Sequence, residues 1–517
     1  MDTNLSTQIT TAAPIIRDFR QRRKILIGVC TALMAVIASV SGLNVAQPQL
    51  ALALDASQSD ILWMINIYTI TLAALLLPLG AAGDRWGRKR VLITGLLVFG
   101  TASATAGLAP TVEVMLAARF LCGVGAAMIM PVTLAVITST FPAEERSKAI
   151  GVWTAVCGGG GILGMFVSAV LVDVASWRWL FTLPVVLVLA ALPTALRVIP
   201  TSREVSAHKF DLVGALTSMI AVVGFIFALT EGPEQGWNTP VTLLSLLVGV
   251  GGAIGFVVWE LRQQAPLLDV RLFCKRGLAS GSVSLLAVFG VPSGIFLVLY
   301  PYFQAVLGWS GFVSTLACMP MLVLMMVCAG LAPRLAARIG VRLAMASGIF
   351  LGGAGLALMA ILVSVDGGYL SVLPGYVVMG LGMGLSMTPS TEAITSSLPR
   401  ERQGVASALN DIAREFGSGL GIALLGAVLT AGYSSAINSH LEGVPVGAAD
   451  TARKGIASAL AIANETHPYS KALFRSAKKS FVHGWQQAMW AGVIVMTIVL
   501  VYVLVRGPER ASPHSPE

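Results

Sequence analysis

The sequence predicts an all-α integral membrane protein with fourteen transmembrane helices, and three features of the chain lead to that prediction. Of its 517 residues, 56% are hydrophobic and only 11% are charged, and the mean hydropathy is +0.81. A soluble protein carries roughly 25% charged residues, so most of this exterior faces lipid. Charge-free runs of about 20 residues, the length that crosses a bilayer, recur along the chain. Most Lys and Arg residues fall on one side of the resulting topology.

Each predicted span is a helix because backbone groups in lipid must be satisfied within their own segment. One run, 277–333, is long enough for two helices, and Pro301 and Gly308 mark the turn between them. The other runs begin near Ile25, Ile61, Val91, Phe120, Ala149, Trp179, Leu212, Gln235, Leu343, Gly367, Phe416 and Gly484.

The distribution of Lys and Arg predicts that both termini lie in the cytosol. A basic tail, 1–24, precedes a first run that is too long for the apolar part of a secretory signal peptide. In this orientation only Arg178 is basic in the short outer loops. The polar stretch 430–483 is predicted to lie outside and to be partly helical, since long loops translocate largely regardless of charge.

A weak internal repeat divides the predicted helices into two halves. The segment 80–90, GAAGDRWGRKR, follows the second helix, and a degenerate echo, 330–342, follows the tenth. Such echoes are typical of transporters built from two related halves. We therefore expect a six-helix bundle over 25–198, two additional helices with a flanking loop over 199–260, a second bundle over 261–505, and a cytosolic tail over 506–517.

The segment 80–90 is the strongest local motif. Gly80 and Gly87 permit a tight turn between two helices, and the Asp84–Arg85 pair followed by Arg88 can hold a cytosolic gate closed through charge-assisted hydrogen bonds. The basic character of cytosolic loops explains the arginines, but it does not explain the acid and the glycines. We predict that these five residues form such a gate.

Several motifs resemble those of the major facilitator superfamily, in particular its fourteen-helix drug:proton antiporters. The segment 80–90 resembles the signature between helices two and three. The segment 119–127, RFLCGVGAA, is similar to the antiporter motif R-x-x-x-G-x-G-A-A, and 43–48, LNVAQP, resembles the N-V-A-L-P ending of the first helix. Further matches are Trp63 with Tyr68, 176–179, 267–273 and 406–417.

This resemblance implies the major facilitator fold, with two six-helix halves and two extra helices between them. It also implies a multi-pass protein of the bacterial cytoplasmic (inner) membrane. The expected function is efflux of small lipophilic, often cationic drugs or antiseptics by alternating access, driven by a proton gradient and without a cofactor.

The chain departs from this family at positions that bear on coupling. The first helix of such exporters usually carries an Asp where this chain has Ser39. A quaternary-ammonium exporter of the family has acids at the positions of Asn66 and Met325. The fifth helix reads GGILGM over 160–165, and so lacks both prolines of the family pattern G-P-x-x-G-P. Fewer acids imply a preference for monovalent or neutral substrates.

Ionisable side chains at membrane depth are candidate coupling residues, because charges there are costly. Arg119 lies in the fourth predicted helix, and Asp411, Arg414 and Glu415 lie in the thirteenth. Asp411 and Glu415 share a helix face, with Arg414 beside them. We predict that Asp411, Glu415 and Arg119 carry proton coupling. The alternatives are a structural ion-pair cluster and, for Arg119, a tether to carbonyls of neighbouring helices.

A substrate cavity is predicted at Ser39, Asn66, Tyr68 and Trp63, since aromatic walls with a polar group suit lipophilic cations. The alternative for the aromatic residues is the ordinary belt at a membrane interface.

Two other functions compete with drug efflux. A transporter of this kind could export one metabolite or antibiotic, or act as an uptake permease. A membrane enzyme would need His, Cys and Asp at catalytic or metal-binding spacing, and the five histidines lie in predicted loops and tails. We therefore predict a monomeric transporter with no catalytic or metal site. Its predicted partners are a small-molecule substrate and membrane lipid, and not nucleic acid.

Overall fold

The computed structural model describes residues 15–201, 210–439, 441, 446–453, 455–463 and 470–508. Over these residues it contains helices and no strands, and fourteen helical segments are long and apolar enough to cross a membrane. The all-α prediction with fourteen spans is therefore confirmed. The α-helices are α1 Phe19–Leu54, α2 Gln58–Trp86, α3 Arg88–Gly107, α4 Val112–Thr140, α5 Ala143–Val174, α6 Thr182–Arg197, α7 Leu212–Gln235, α8 Pro240–Glu260, α9 Arg276–Pro301, α10 Gly311–Ala317, α11 Met319–Ile339, α12 Val341–Leu362, α13 Gly368–Thr395, α14 Gln403–Asn438, α15 Val446–Arg453, α16 Ile456–Ala463 and α17 Ser470–Arg506.

Two groups of helices pack separately and meet at a shared interface. Helices α1 to α6 pack on one another, as do α9, α11 to α14 and α17; we call these groups the N-half and the C-half. The halves meet where α2 and α4 contact α14 and where α5 contacts α11 and α13. Helix α7 packs against α2 and α14 at this boundary, and α8 packs mainly on α7. We call the end where α1 begins the inner end, and the opposite one the outer end.

The predicted echo between the halves occupies equivalent positions in the structure. Gly87 joins α2 to α3 with a φ of 108°, and Gly340 joins α11 to α12 with a φ of 91°. A side chain is strained at such positive φ angles, so glycine suits both turns. The turn predicted within 277–333 is also present, because α9 ends at Pro301 and Gly308 has a φ of 75°.

Three helices extend beyond their predicted bounds. Helix α1 begins at Phe19, six residues before the predicted run, because Asp18 caps it by accepting from the Arg20 amide at 2.9 Å. Arg22 then forms an ion pair with Glu145 at 2.9 Å, which joins the start of α1 to the start of α5. At the outer end, α14 continues to Asn438 and α17 already begins at Ser470. Long charged side chains reach water from such helix ends, so a charge-free run underestimates helix length.

Candidate transport pathway

The inner ends of the two halves are joined by an ion pair in the 80–90 motif. Asp84 is 3% exposed, and its Oδ1 accepts from Arg88 Nε at 3.0 Å and Nη2 at 2.7 Å. The same carboxylate accepts from two backbone amides at the start of α14, Gly404 at 2.8 Å and Val405 at 3.1 Å. A negative charge at a helix N-terminus is stabilised by the helix dipole. Asp84 therefore holds α14 of the C-half against α2 of the N-half.

Arg88 and Gly80 add to these contacts, and we call the set of contacts the inner gate. Arg88 Nη2 donates to the carbonyls of Arg400 at 2.9 Å and Glu401 at 3.0 Å. A Cβ on Gly80 would lie 2.6 Å from the Gly404 carbonyl oxygen, so only glycine allows this close helix contact. Of the other predicted gate residues, Gly87 forms the turn described above, and Arg85 lies half-buried on the last turn of α2.

A second set of bonds closes the inner end and was not predicted from the sequence. The Ser147 hydroxyl on α5 is hydrogen-bonded to Oε1 of Glu392 on α13, and Arg400 Nη2 donates to the Ser139 carbonyl at 2.6 Å. Glu392 interrupts the apolar run that begins at Gly367, and this acid inside a predicted span is the signal that could have revealed it. The inner end is thus closed by contacts from both α2 and α5.

Deeper in the bundle, Asp411 and Arg414 form a buried ion pair on α14. Arg414 Nη1 lies 3.3 Å from Asp411 Oδ1, and Asp411 Oδ2 has no hydrogen-bond partner among the described residues. Asp411 is 0% exposed. The guanidinium of Arg414 lies 4.4 Å from the ring centre of Phe289 on α9 and 5.9 Å from that of Trp153 on α5. The pair therefore sits where the C-half meets the N-half.

Arg119 on α4 contacts two other predicted residues of the N-half, Ser39 on α1 and Tyr68 on α2. Its Nη1 donates to the Ser39 hydroxyl at 3.2 Å, its Nε donates to the Met64 carbonyl at 3.1 Å, and its guanidinium lies 4.3 Å from the Tyr68 ring centre. Arg119 is 1% exposed, and no acid among the described residues pairs with it. Glu415 of the C-half is half-buried and interacts electrostatically with Tyr68.

The remaining two residues of the predicted cavity lie apart from this group. Asn66 is half-buried on α2. Trp63 is 42% exposed, and its ring lies 6.0 Å from that of Phe227 on α7. Trp63 thus faces the additional helices at the edge of the bundle.

A cavity of about 920 Å³ opens between the halves towards the outer end. The N-half contributes Gln47 and Met165, and the other lining residues lie on α9, α10, the turn between them and α14. Tyr300 lines it, with its hydroxyl 2.8 Å from the Thr315 hydroxyl. None of the described lining residues is charged, and none is among the four predicted cavity residues. The full lining is Gln47, Met165, Ser293, Phe296, Leu297, Tyr300, Pro301, Gln304, Ser310, Gly311, Phe312, Thr315 and Ile422.

The glycine-rich stretch of α5 allows the halves to approach below this cavity. A Cβ on Gly158 would lie 2.8 Å from Met325 Cε, and one on Gly159 would lie 2.6 Å from Met326 Sδ, both on α11 of the C-half. Met325 is 2% exposed, so the position where a family exporter carries an acid is here an apolar contact between α11 and α5.

Two related halves, a gate closed at one end and a cavity open towards the other define a secondary active transporter rather than an enzyme. The sequence supports this assignment, because the family model of the Major Facilitator Superfamily matches residues 29–422. The chain belongs to the major facilitator superfamily.

Known relatives carry resistance names, and solved structures share the fold. The multidrug resistance protein Stp of Mycobacterium tuberculosis is 30% identical over 80% of this chain and 78% of its own length. The methyl viologen resistance protein SmvA of Salmonella typhimurium is 30% identical over 90% of this chain and 95% of its own. The crystal structure of the human organic anion transporter MFSD10 covers 92% of this chain and 99% of its own, with a TM-score of 0.58 at 13% identity.

Proposed function

We propose that this protein exports small lipophilic compounds, neutral or monovalent cations, from the cytosol in exchange for protons. It does so as a monomer in the bacterial cytoplasmic membrane, with both termini inside and no cofactor. The buried Asp411–Arg414 pair at the interface of the halves is the observation that carries the proposal, because it places an ionisable group where the two halves meet. The resistance names of Stp and SmvA support export of toxic compounds.

Asp411 is the proton carrier in this proposal. Its unpartnered Oδ2 can accept a proton, and its Oδ1 holds the guanidinium of Arg414. Protonation removes the charge that pairs with Arg414, and a buried charge without a partner is costly. Movement of the Arg414 side chain towards water or another acid then lowers the free energy of its unpaired charge. This movement shifts its contacts with Phe289 and Trp153. A change of charge on α14 thereby acts on the packing between the halves.

The buried Arg119 and the half-buried Glu415 extend this site across the interface. Arg119 is held by Ser39 and stacks on Tyr68, and Tyr68 in turn lies near Glu415 of the C-half. A fixed positive charge beside the interface favours the ionised form of a nearby acid. We infer that Ser39 and Tyr68 position Arg119, and that Glu415 is a secondary proton site.

The closed inner gate and the outer cavity correspond to one step of alternating access. In the structure, compounds can leave the cavity only towards the outer end. Opening the inner end requires that the bonds of Asp84, Arg88 and Glu392 break together. The cavity offers aromatic surfaces and hydroxyl or amide groups, which suit lipophilic compounds with a few polar atoms.

The proposal is tested by substrate-dependent proton movement in proteoliposomes that contain only this protein. Addition of ethidium on one side is expected to produce a proton flux in the opposite direction, recorded with a pH-sensitive dye inside the vesicles. Liposomes without protein and liposomes treated with a proton ionophore are the controls. Ethidium transport without any proton flux would overturn the coupling, and absence of transport for a panel of lipophilic compounds would overturn the export function.

Substrate charge provides a separate prediction. Ethidium, a monovalent cation, is expected to be transported at least about tenfold faster than a bis-cationic antiseptic, because a second charge without a counter-acid is costly at membrane depth. Methyl viologen, a dication, is the second compound for this comparison. Met325→Glu places an acid on α11 and is expected to raise dication transport, whereas Met325→Gln of similar length is not. Equal rates for monovalent and divalent compounds in the wild type would contradict the prediction.

A further inference from the structure

Two acids meet at the inner end of the additional helices α7 and α8, away from the transport pathway. Asp211 caps α7: its Oδ1 accepts from the Gly214 amide at 2.8 Å and from Trp259 Nε1 at 2.9 Å. Glu260 is the last residue of α8 and is 2% exposed. Its Oε2 accepts from the Leu268 amide at 3.4 Å, whereas its Oε1 is buried without a partner.

The unpartnered oxygen of Glu260 and the second oxygen of Asp211 both border the space that Gly214 leaves open. A Cβ on Gly214 would lie within 2.8 Å of both Glu260 Oε1 and Asp211 Oδ2. An ionised Glu260 is disfavoured here by its burial, by the neighbouring carboxylate and by the negative end of the α8 dipole. The Asp211 carboxylate accepts hydrogen bonds from the indole of Trp259 and from the Gly214 amide.

We propose that Asp211 and Glu260 share one proton, so that the Glu260 carboxyl donates to the Asp211 carboxylate and forms a proton-binding latch at the inner end. The charged groups that face the pair are Arg402, which interacts electrostatically with Glu260, and Arg271, whose Nη2 donates to the Leu261 carbonyl at 3.2 Å. Neither forms an ion pair with Glu260 among the described residues. A single proton allows the two carboxyl groups to form a hydrogen bond, where two carboxylates would repel each other.

The latch fastens the segment 261–269, which connects α8 to the C-half, beside the inner gate. Leu267 and Leu268 of this segment are buried in the core that α1 to α5 build with the start of α9 and α14. Arg402, next to the gate carbonyls of Arg400 and Glu401, donates to the Pro266 carbonyl at 3.4 Å. Loss of the shared proton leaves two adjacent carboxylates that repel each other, which loosens this segment. Anchoring at the inner end therefore weakens as the pH at that face rises.

Hydrogen–deuterium exchange of the full-length protein in detergent, read by mass spectrometry, tests the latch without a transported substrate. Peptides over 261–273 are expected to lose protection as the pH rises in the wild type. In Glu260→Gln they stay protected, because the amide donates to Asp211 at every pH. Dividing the wild-type exchange rate by that of the variant at each pH removes the intrinsic pH dependence of exchange. This ratio is expected to rise about tenfold across the pH series, because a tenfold change corresponds to the loss of one hydrogen bond to a charged group. Glu144→Gln, an exposed acid at the inner end, is the matched control and should follow the wild type.

Two further measurements keep the result decisive. Glu260→Ala is expected to lack protection of 261–273 at every pH, and the wild type is expected to show an infrared carboxyl C=O band that shifts in D2O and is missing in Glu260→Gln. The latch is refuted when the exchange ratio stays constant with pH, or when the band persists in Glu260→Gln. Drug transport is not measured in either experiment, so failure of the latch leaves the proposed export function untouched, and the reverse holds as well.

Discussion

Asp411→Asn is expected to lower transport driven by a pH gradient by about 100-fold or more, because the amide cannot carry a proton and leaves Arg414 buried without its partner. The wild-type carboxylate has one oxygen on Arg414 and one without a partner, which is the arrangement that a proton carrier needs. The variant should still exchange labelled ethidium for unlabelled ethidium across proteoliposomes, since exchange at equal concentration requires substrate binding and alternation but no net proton movement.

The exchange assay separates loss of coupling from loss of folding. Glu415→Gln is the internal comparison, because this acid is half-buried and has no ion pair among the described residues; we expect a several-fold smaller loss. Asp450→Asn changes an exposed acid near the outer end and should have no effect. Wild-type pH-driven transport in Asp411→Asn would remove Asp411 from the coupling mechanism.

Asp84→Asn is expected to shift the protein away from the conformation that is closed at the inner end, by roughly 100-fold in population. The substitution leaves the buried Arg88 without its counter-charge and removes the charge that accepts two amides of α14. Breaking one side of a buried, hydrogen-bonded ion pair costs about 3–5 kcal/mol, and this cost falls only on the closed state. Export should slow accordingly, because each cycle must pass through that state.

Distances between spin labels at Lys148 on α5 and Ser396 after α13 report this shift directly. Both positions are exposed at the inner end and lie on different halves. The exposed Cys274 is replaced by Ser in every variant so that it takes no label. The wild type should show mainly the short distance and Asp84→Asn mainly a longer one, whereas Arg90→Gln, an exposed basic residue of the same motif, should match the wild type. An unchanged distance distribution in Asp84→Asn would show that the gate does not depend on this ion pair.

The sequence alone determined the number of spans, and it predicted the internal repeat and an inner gate in the 80–90 motif. Run length decides the spans because lipid tolerates few charges and no unpaired backbone groups. The glycines of the 80–90 motif predict a tight turn; Gly87 forms it, whereas Gly80 lies within α2 and provides a helix contact that the sequence did not predict. The sequence also predicted functional roles for Ser39 and Tyr68. Their packing against Arg119 could not be predicted, because the three residues lie on separate helices.

Only the tertiary structure decided which distant residues meet. The two backbone amides that Asp84 binds lie more than 300 positions away at the start of α14, Glu392 binds Ser147 on α5, and Glu260 binds Leu268 in the segment after α8. The outer cavity is likewise built from α1, α5, α9, α10 and α14, none of which shows a cavity pattern by itself. The physical reason is that each segment spans the bilayer because of its own run of apolar residues, whichever helices surround it. The length of each span can therefore be predicted from the local sequence. The scarce polar groups inside the bundle depend on which helix faces pack together, and that is set by long-range contacts.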